Sequence, residues 1–172
     1  MAFFGDNRMN NVADHPCPCM PTPVGATKMI VDVGPFGMPG CVERLVVEPS
    51  PAGGFVVACL PFFSYGIQFG DLVEVQERGQ VFERVVKSSG LRTLRIAFRK
   101  KDTARHRHER IHGELVKSGL PHEWRGFGYV SVLVRDLSDQ ERALSCVADD
   151  VRDGTVSWEV DPAPFSVPPV DS

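Results

Sequence analysis

His108-Glu109-Arg110-Ile111-His112 is a literal H-E-x-x-H string. On a helix its two imidazoles fall one turn apart, the arrangement with which zinc peptidases hold a metal while the intervening glutamate activates water. Three features of the sequence weigh against that chemistry. Arg110 is charged where those peptidases carry an uncharged residue, no G-x-x-H follows His112, and the third-ligand candidates Glu123 and Glu141 are unanchored. His108 also falls on the helical stripe Ala104, Ile111 and Leu115, which predicts that this face lies against a sheet and does not line a cleft. A partly buried histidine pair is the simpler reading, and a zinc-dependent hydrolase through His108, Glu109 and His112 is the alternative. His106 adds a third imidazole at no recognised spacing.

His15-Pro16-Cys17-Pro18-Cys19 gathers soft ligands, but one C-x-C and one histidine leave a tetrahedral site incomplete. The five cysteines, at 17, 19, 41, 59 and 146, are odd in number and scattered, which fits reduced thiols better than a disulfide framework. No phosphate-binding Walker string and no G-x-S-x-G nucleophile turn occurs. The sequence therefore assigns no catalytic residue, no metal and no cofactor, and leans away from an enzyme.

Charge offers the better candidate. The formal net charge is −3, distributed as −5 over residues 1–77, +8 over 78–125 and −6 over 126–172. Within the basic middle, Arg92, Arg95, Arg99, Lys100, Lys101, Arg105 and Arg107 form the candidate ligand-binding set. Arg95 and Arg99 share one strand face, and Lys100 to Arg107 continue into the next turn and helix. Such a set suits an acidic protein surface or the phosphates of a nucleic acid. The competing explanation is neutralisation of these cations by the acidic C-terminal third within the fold. Phe98 points away from Arg95 and Arg99, so no aromatic base-stacking face accompanies them. Phe63, Tyr65 and Trp124 mark a third possibility, a small-molecule sensor with a pocket between two sheets.

The elements that position these residues follow from periodicity and punctuation. Residues 1–40 are rich in proline and glycine and read as a largely flexible tail, with a short extended piece at 28–33. Residues 43–48, 55–60, 72–76 and 81–87 read as strands, with turns at Gly66, Gly70 and 77–80. From Leu91 the order becomes β-α-β-β-α-β. An alternating strand to Arg99 precedes a helix from Asp102 to Ser118, stopped by Gly119. Strands at 122–125 and 129–135 come next, then a helix opened by a capping box at Ser138 to Glu141 and stopped by Gly154, with Leu144, Val147 and Val151 on one face. A strand at 155–160 ends the core. The fold class is α+β: a small antiparallel sheet or partial barrel over about 43–90, packed beside a ferredoxin-like unit over about 91–160. One globular domain spans 41–160, and the proline-rich 161–172 reads as a second tail. No apolar run reaches the roughly 20 residues of a membrane span, and the N-terminus lacks a long apolar signal core, so a cytoplasmic protein is expected.

The string P-F-F-S-Y-G-I-Q-F-G-D-L-V-E-V from Pro61, followed by E-R-V-V-K-S-S-G-L-R-T-L-R-I, resembles a bacterial family known only as a domain of unknown function. The clear resemblance covers Pro61 to Ile96, with weaker similarity of pattern from Glu43 to about Val160. It implies a fold and a cytoplasmic bacterial setting and brings no catalytic residues. Asp71 and Glu74 match its pattern without an assigned role.

Overall fold

The computed structural model describes residues 11–15, 21–76, 80–99 and 104–161. Its first half is a closed barrel built on strands β2 (Thr27–Asp32), β3 (Val42–Pro49), β4 (Phe55–Val57), β5 (Leu72–Gln76) and β6 (Val81–Lys87), in the order β3-β2-β6-β5-β4 with β4 returning to β3. One further strand, β1 (Val12–Asp14), lies parallel to β3. β1 pairs with Val42 to Arg44, and β4 pairs with Val47 to Pro49, so the two short strands share one long edge of β3. Alternation in β2 and β3 turns Met29, Val31, Leu45 and Val47 into the barrel. Glu43 occupies an inward position of the same alternation and is fully buried.

Backbone freedom matters at two turns. Gly54, at φ +73°, brings its backbone so near β5 that a β-carbon would stand 2.7 Å from Val73 O. Gly70, at φ +81°, turns the chain into β5 with Ser89 close by.

The second half is a four-stranded sheet of β7 (Arg92–Phe98), β8 (His122–Arg125), β9 (Tyr129–Val134) and β10 (Val156–Val160). Its order is β10-β7-β9-β8 with every neighbour antiparallel. The helices are α1 (Ala104–Lys117), α2 (Leu137–Ser145) and α3 (Ala148–Arg152). Leu94, Ile96, Val130 and Val132 of the sheet pack with Ile111 and Leu115 of α1 and with Ala143, Cys146 and Val147. Each of the valine, leucine and isoleucine side chains contributes about 1.5–3 kcal/mol by leaving water. Thr93, Arg95, Glu123 and Ser131 occupy the alternate positions and meet the barrel half.

α1 ends in a Schellman motif. Leu120 N–H bonds Leu115 O at 3.0 Å, Gly119 N–H bonds Val116 O at 3.0 Å, and Gly119 is left-handed at φ +65°. The apolar Leu120 buries beneath this turn, and β8 begins two residues later.

Several boundaries differ from expectation. The extended piece expected at 28–33 is β2, whose Met29 and Val31 join the barrel core, while β1 is an unexpected strand that buries Ala13 with Val33, Phe62 and Phe63. The second helix is capped by Asp136, whose carboxylate accepts Asp139 N–H at 2.9 Å, and not by Ser138. It also breaks at Val147 into α2 and α3, leaving Val151 exposed while Ala143 and Cys146 take buried places. The expected start of α1 at Asp102 and most of the 77–80 turn lie outside the described residues, as do 162–172. No helix among the described residues is long and apolar enough to cross a membrane.

Candidate functional site

The segment from Cys59 to Asp71 runs between the two halves with little regular pairing, so its backbone polar groups need side-chain partners. Glu43 supplies several. Its Oε1 accepts Phe62 N–H at 2.6 Å, and its Oε2 accepts Phe63 N–H at 3.0 Å, Ser64 N–H at 2.8 Å and the Ser64 hydroxyl at 2.6 Å. Three successive amides thus form a nest for an anion, and the anion is the chain's own carboxylate. Glu123 of β8 accepts Leu60 N–H at 2.9 Å.

His15 closes this arrangement from the end of β1. Its Nε2 lies 3.0 Å from Glu43 Oε1, its Nδ1 lies 2.7 Å from Glu123 Oε2, and its ring stacks on Phe62 at 4.4 Å. Burial opposes the charged imidazolium, but the Cys59 sulfur and the Glu123 and Glu43 carboxylates hold His15 well above its ordinary value. Glu43 is resisted by burial and drawn below its ordinary value by His15, Ser64 and Phe62. Burial pushes the Cys59 thiol up, and its sulfur accepts Val46 N–H at 3.2 Å.

Arg95 completes the junction from β7 and is 1 % exposed. It donates to Phe62 O at 2.8 Å, Ser64 O at 3.1 Å and Asp161 Oδ1 at 2.5 Å, and its guanidinium lies 4.4 Å from the Tyr65 ring centre. The Tyr129 hydroxyl and Ser131 hydroxyl donate to Phe62 O and Pro61 O at 2.9 and 3.0 Å. Asp71 accepts Gln68 N–H and Ser89 N–H at 2.8 and 2.7 Å. Glu74 lies outside the junction and pairs with Arg84 at 2.7 Å. The junction's carboxylates act as hydrogen-bond acceptors, and the cavity that Phe63 lines measures about 10 Å³. The arrangement of the junction suits clamping the two halves together.

A groove opens on the other side of β8. It measures about 400 Å³ and is lined by His108, His112 and Val116 of α1, by Leu120 and Pro121, and by β8. His122 Nδ1 lies 2.8 Å from Leu120 O and so carries the proton, which leaves Nε2 to accept from His112 Nδ1 at 2.8 Å. His108 stacks parallel to His112 with centroids 5.9 Å apart and tilts onto Trp124 at 4.2 Å. Burial first, then His112, lowers the affinity of His108 for a proton. Burial also lowers that of His122, against the Leu120 carbonyl and with His112 and His108. Trp124 Nε1 is buried with no hydrogen-bond partner among the described residues.

This geometry corrects the expectation that the His108 face lies against the sheet: Ile111 and Leu115 do so, but His108 and His112 line the open groove. Glu109 pairs with Arg105 at 3.2 Å on the exposed side of α1, and Glu123 is turned into the junction. Among the described residues no group of three or more His, Cys, Asp or Glu side chains is placed to hold a metal. Cys17 and Cys19 lie outside the described residues, while His15 is spent on two carboxylates.

Among the described residues, the members of the basic set lie in different surroundings. Arg95 is internal, Arg92 donates to Asp161 O at 2.8 and 3.0 Å, and Arg107 reaches Asp150 at 3.1 Å. Arg99 and Arg105 are exposed, and Lys100 and Lys101 lie outside the described residues. The expected sensor residues are likewise divided between two places among the described residues. Phe63 and Tyr65 belong to the junction, whereas Trp124 packs on Phe98 and His108 on the helix side.

Sequence reasoning missed Glu43, Glu123, His15 and Asp161 as partners of the junction. The available signal was Glu43, a carboxylate at an inward position of an alternating strand.

A family model described as a domain of unknown function, DUF4265, matches residues 43–158. β1 and β2 lie before that range. Among solved structures, one titled "Novel crystal structure of a hypothetical protein from Neisseria gonorrhoeae" is similar at TM-score 0.57 and 17% identity, covering 81% of this chain and 96% of that one. This similarity concerns the fold alone. No curated protein matches.

Proposed function

This chain belongs to the DUF4265 family, and from that premise, which hands down no activity, we propose a non-enzymatic interaction module that binds through the groove between α1 and β8. The observation that carries this reading is the contrast between two sites. The chemically rich junction is filled by its own side chains, while the open groove combines apolar walls with imidazoles and an indole N–H that has no partner among the described residues. Concave, mostly apolar sites with a few polar groups are where ligands gather.

The strand order β10-β7-β9-β8 and the alternation of strands and helices support a ferredoxin-like reading of residues 92–160. On this reading the barrel and that unit form one domain clamped by the junction. Cys41, Cys59 and Cys146 are free thiols, which supports a reducing, cytoplasmic setting.

The competing face is the basic one, carried by Arg99 and Arg105. Peptides selected from a displayed random library discriminate the two. Binding that is lost in Val116→Glu and kept in Arg99→Glu supports the groove. Binding that instead falls with salt and is lost in Arg99→Glu refutes it in favour of a basic surface for acidic partners or nucleic acid.

A further inference from the structure

We infer that the groove takes an extended, uncharged peptide segment, which adds to the four-stranded sheet as a fifth strand along β8. This rests on the interaction-module reading and names the partner's chemistry. β8 is the end strand of its sheet. Its register with β9 pairs His122 with Val132, Glu123 with Ser131 and Trp124 with Val130. Leu133 N–H bonds Pro121 O at 2.8 Å, which sets the phase of the ladder. In an antiparallel pair, bonded positions alternate with unbonded ones. Glu123 and Arg125 therefore bond β9, and the N–H and C=O of His122 and Trp124 point outward, without partners among the described residues. Such a row of donors and acceptors is complementary to one thing above all, the backbone of another strand.

The groove lies along this same edge, since His122, Glu123 and Trp124 line it together with α1. A strand paired to His122 and Trp124 sends alternate side chains between β8 and α1, onto His108, His112 and Val116. Charge selects the kind of side chain. His108 and His122 are both held toward the neutral form, Arg110 pairs with Asp150 and Glu114, and Glu123 faces the junction. No fixed charge in the lining calls for an opposite one, so apolar residues fit, and Trp124 Nε1 offers one donor to a carbonyl or hydroxyl.

The test uses the full chain and the heptapeptide acetyl-Thr-Val-Thr-Leu-Thr-Val-Thr-amide, followed by amide hydrogen exchange and NMR titration. Two N-methylated versions, one blocking each alternate set of peptide N–H groups, keep the test independent of protein variants. The expected result is slowed exchange at His122 and Trp124, with one N-methylated peptide weakened about tenfold and the other little changed. Shifts in Val116 and His108 without protection of the two amides overturn strand addition and leave the groove standing as a binding face. Equal behaviour of the two N-methylated peptides, or no binding at millimolar concentration, also overturns it. Protection that appears without peptide and grows with protein concentration assigns the edge to a second copy and overturns it as well.

Discussion

His15 Nδ1 lies 2.7 Å from Glu123 Oε2, so the end of a three-residue strand at the barrel seam is tied to the outermost strand of the other sheet. The same ring reaches Glu43 at 3.0 Å, which makes one imidazolium the counter-ion of two buried carboxylates. Replacing it by alanine takes away the cation that both share and leaves their backbone and hydroxyl donors, and breaking a buried pair in this way costs about 3–5 kcal/mol. His15→Ala is expected to lower the urea midpoint accordingly while the unfolding slope stays unchanged.

The pH dependence of stability follows from the same contact. His15 is raised, so its contribution is fully present below its ordinary value of 6.5 and is lost as pH rises through the folded-state value. Glu43 is lowered, so its contribution is present above its ordinary value of 4.5 and is lost as pH falls through the folded-state value. Denaturation measured across pH should show both limbs, and His15→Ala should flatten the alkaline one. An alkaline limb unchanged in the variant would refute the assignment.

Arg95 and Arg99, four residues apart, should behave in opposite ways. Arg95→Met removes the cation beside the buried Asp161 carboxylate and the donor to Ser64 O, leaving Phe62 O to Tyr129, with an expected loss of about 3–5 kcal/mol. Arg99→Glu alters an exposed strand end and should stay within about 0.5 kcal/mol of the parent. Thermal unfolding of the two variants side by side checks this.

Asp136→Ala should cost about 1 kcal/mol, because it removes the acceptor for Asp139 N–H at the start of α2. Ser138→Ala, inside the helix, should be close to neutral. The reverse ranking would restore the cap to Ser138.

The histidine pair of the groove sets an acid limit. One hydrogen bond joins His112 Nδ1 to His122 Nε2, and protonating His122 turns that acceptor into a donor. His122 is depressed, so its share of stability is present above its ordinary value of 6.5 and lost as pH falls through the folded-state value. Nitrogen-15 NMR should find His122 neutral with its proton on Nδ1 at pH 7. Peptide binding should weaken on acidification in step with that ring's titration.

Local signals carried much of the fold. Alternation located β3, β5, β6 and β7, the Gly119 stop located the end of α1, and the string from Pro61 marked the segment on which the junction is built. Periodicity also placed Leu94, Ile96 and Phe98 on one face of β7 and Arg95 on the other. What alternation cannot state is whether the second face meets water or another sheet, so Arg95 read as a surface cation. Proline-rich spacing likewise made residues 1–40, apart from the piece at 28–33, read as a tail, because the inward side chain of β1 has meaning only once β3 lies beside it.

The sequence by itself determined most of the strands and helices after Glu43 and that no familiar catalytic string stands in full support. Those properties rest on neighbours within a few residues. Tertiary structure alone decided that Glu43, Glu123, Arg95 and Asp161 are consumed inside the protein while His108, His112 and Trp124 remain at a groove. His15 and Glu123 are 108 positions apart along the chain, and a charge becomes structural or available according to what the fold brings within hydrogen-bonding distance of it.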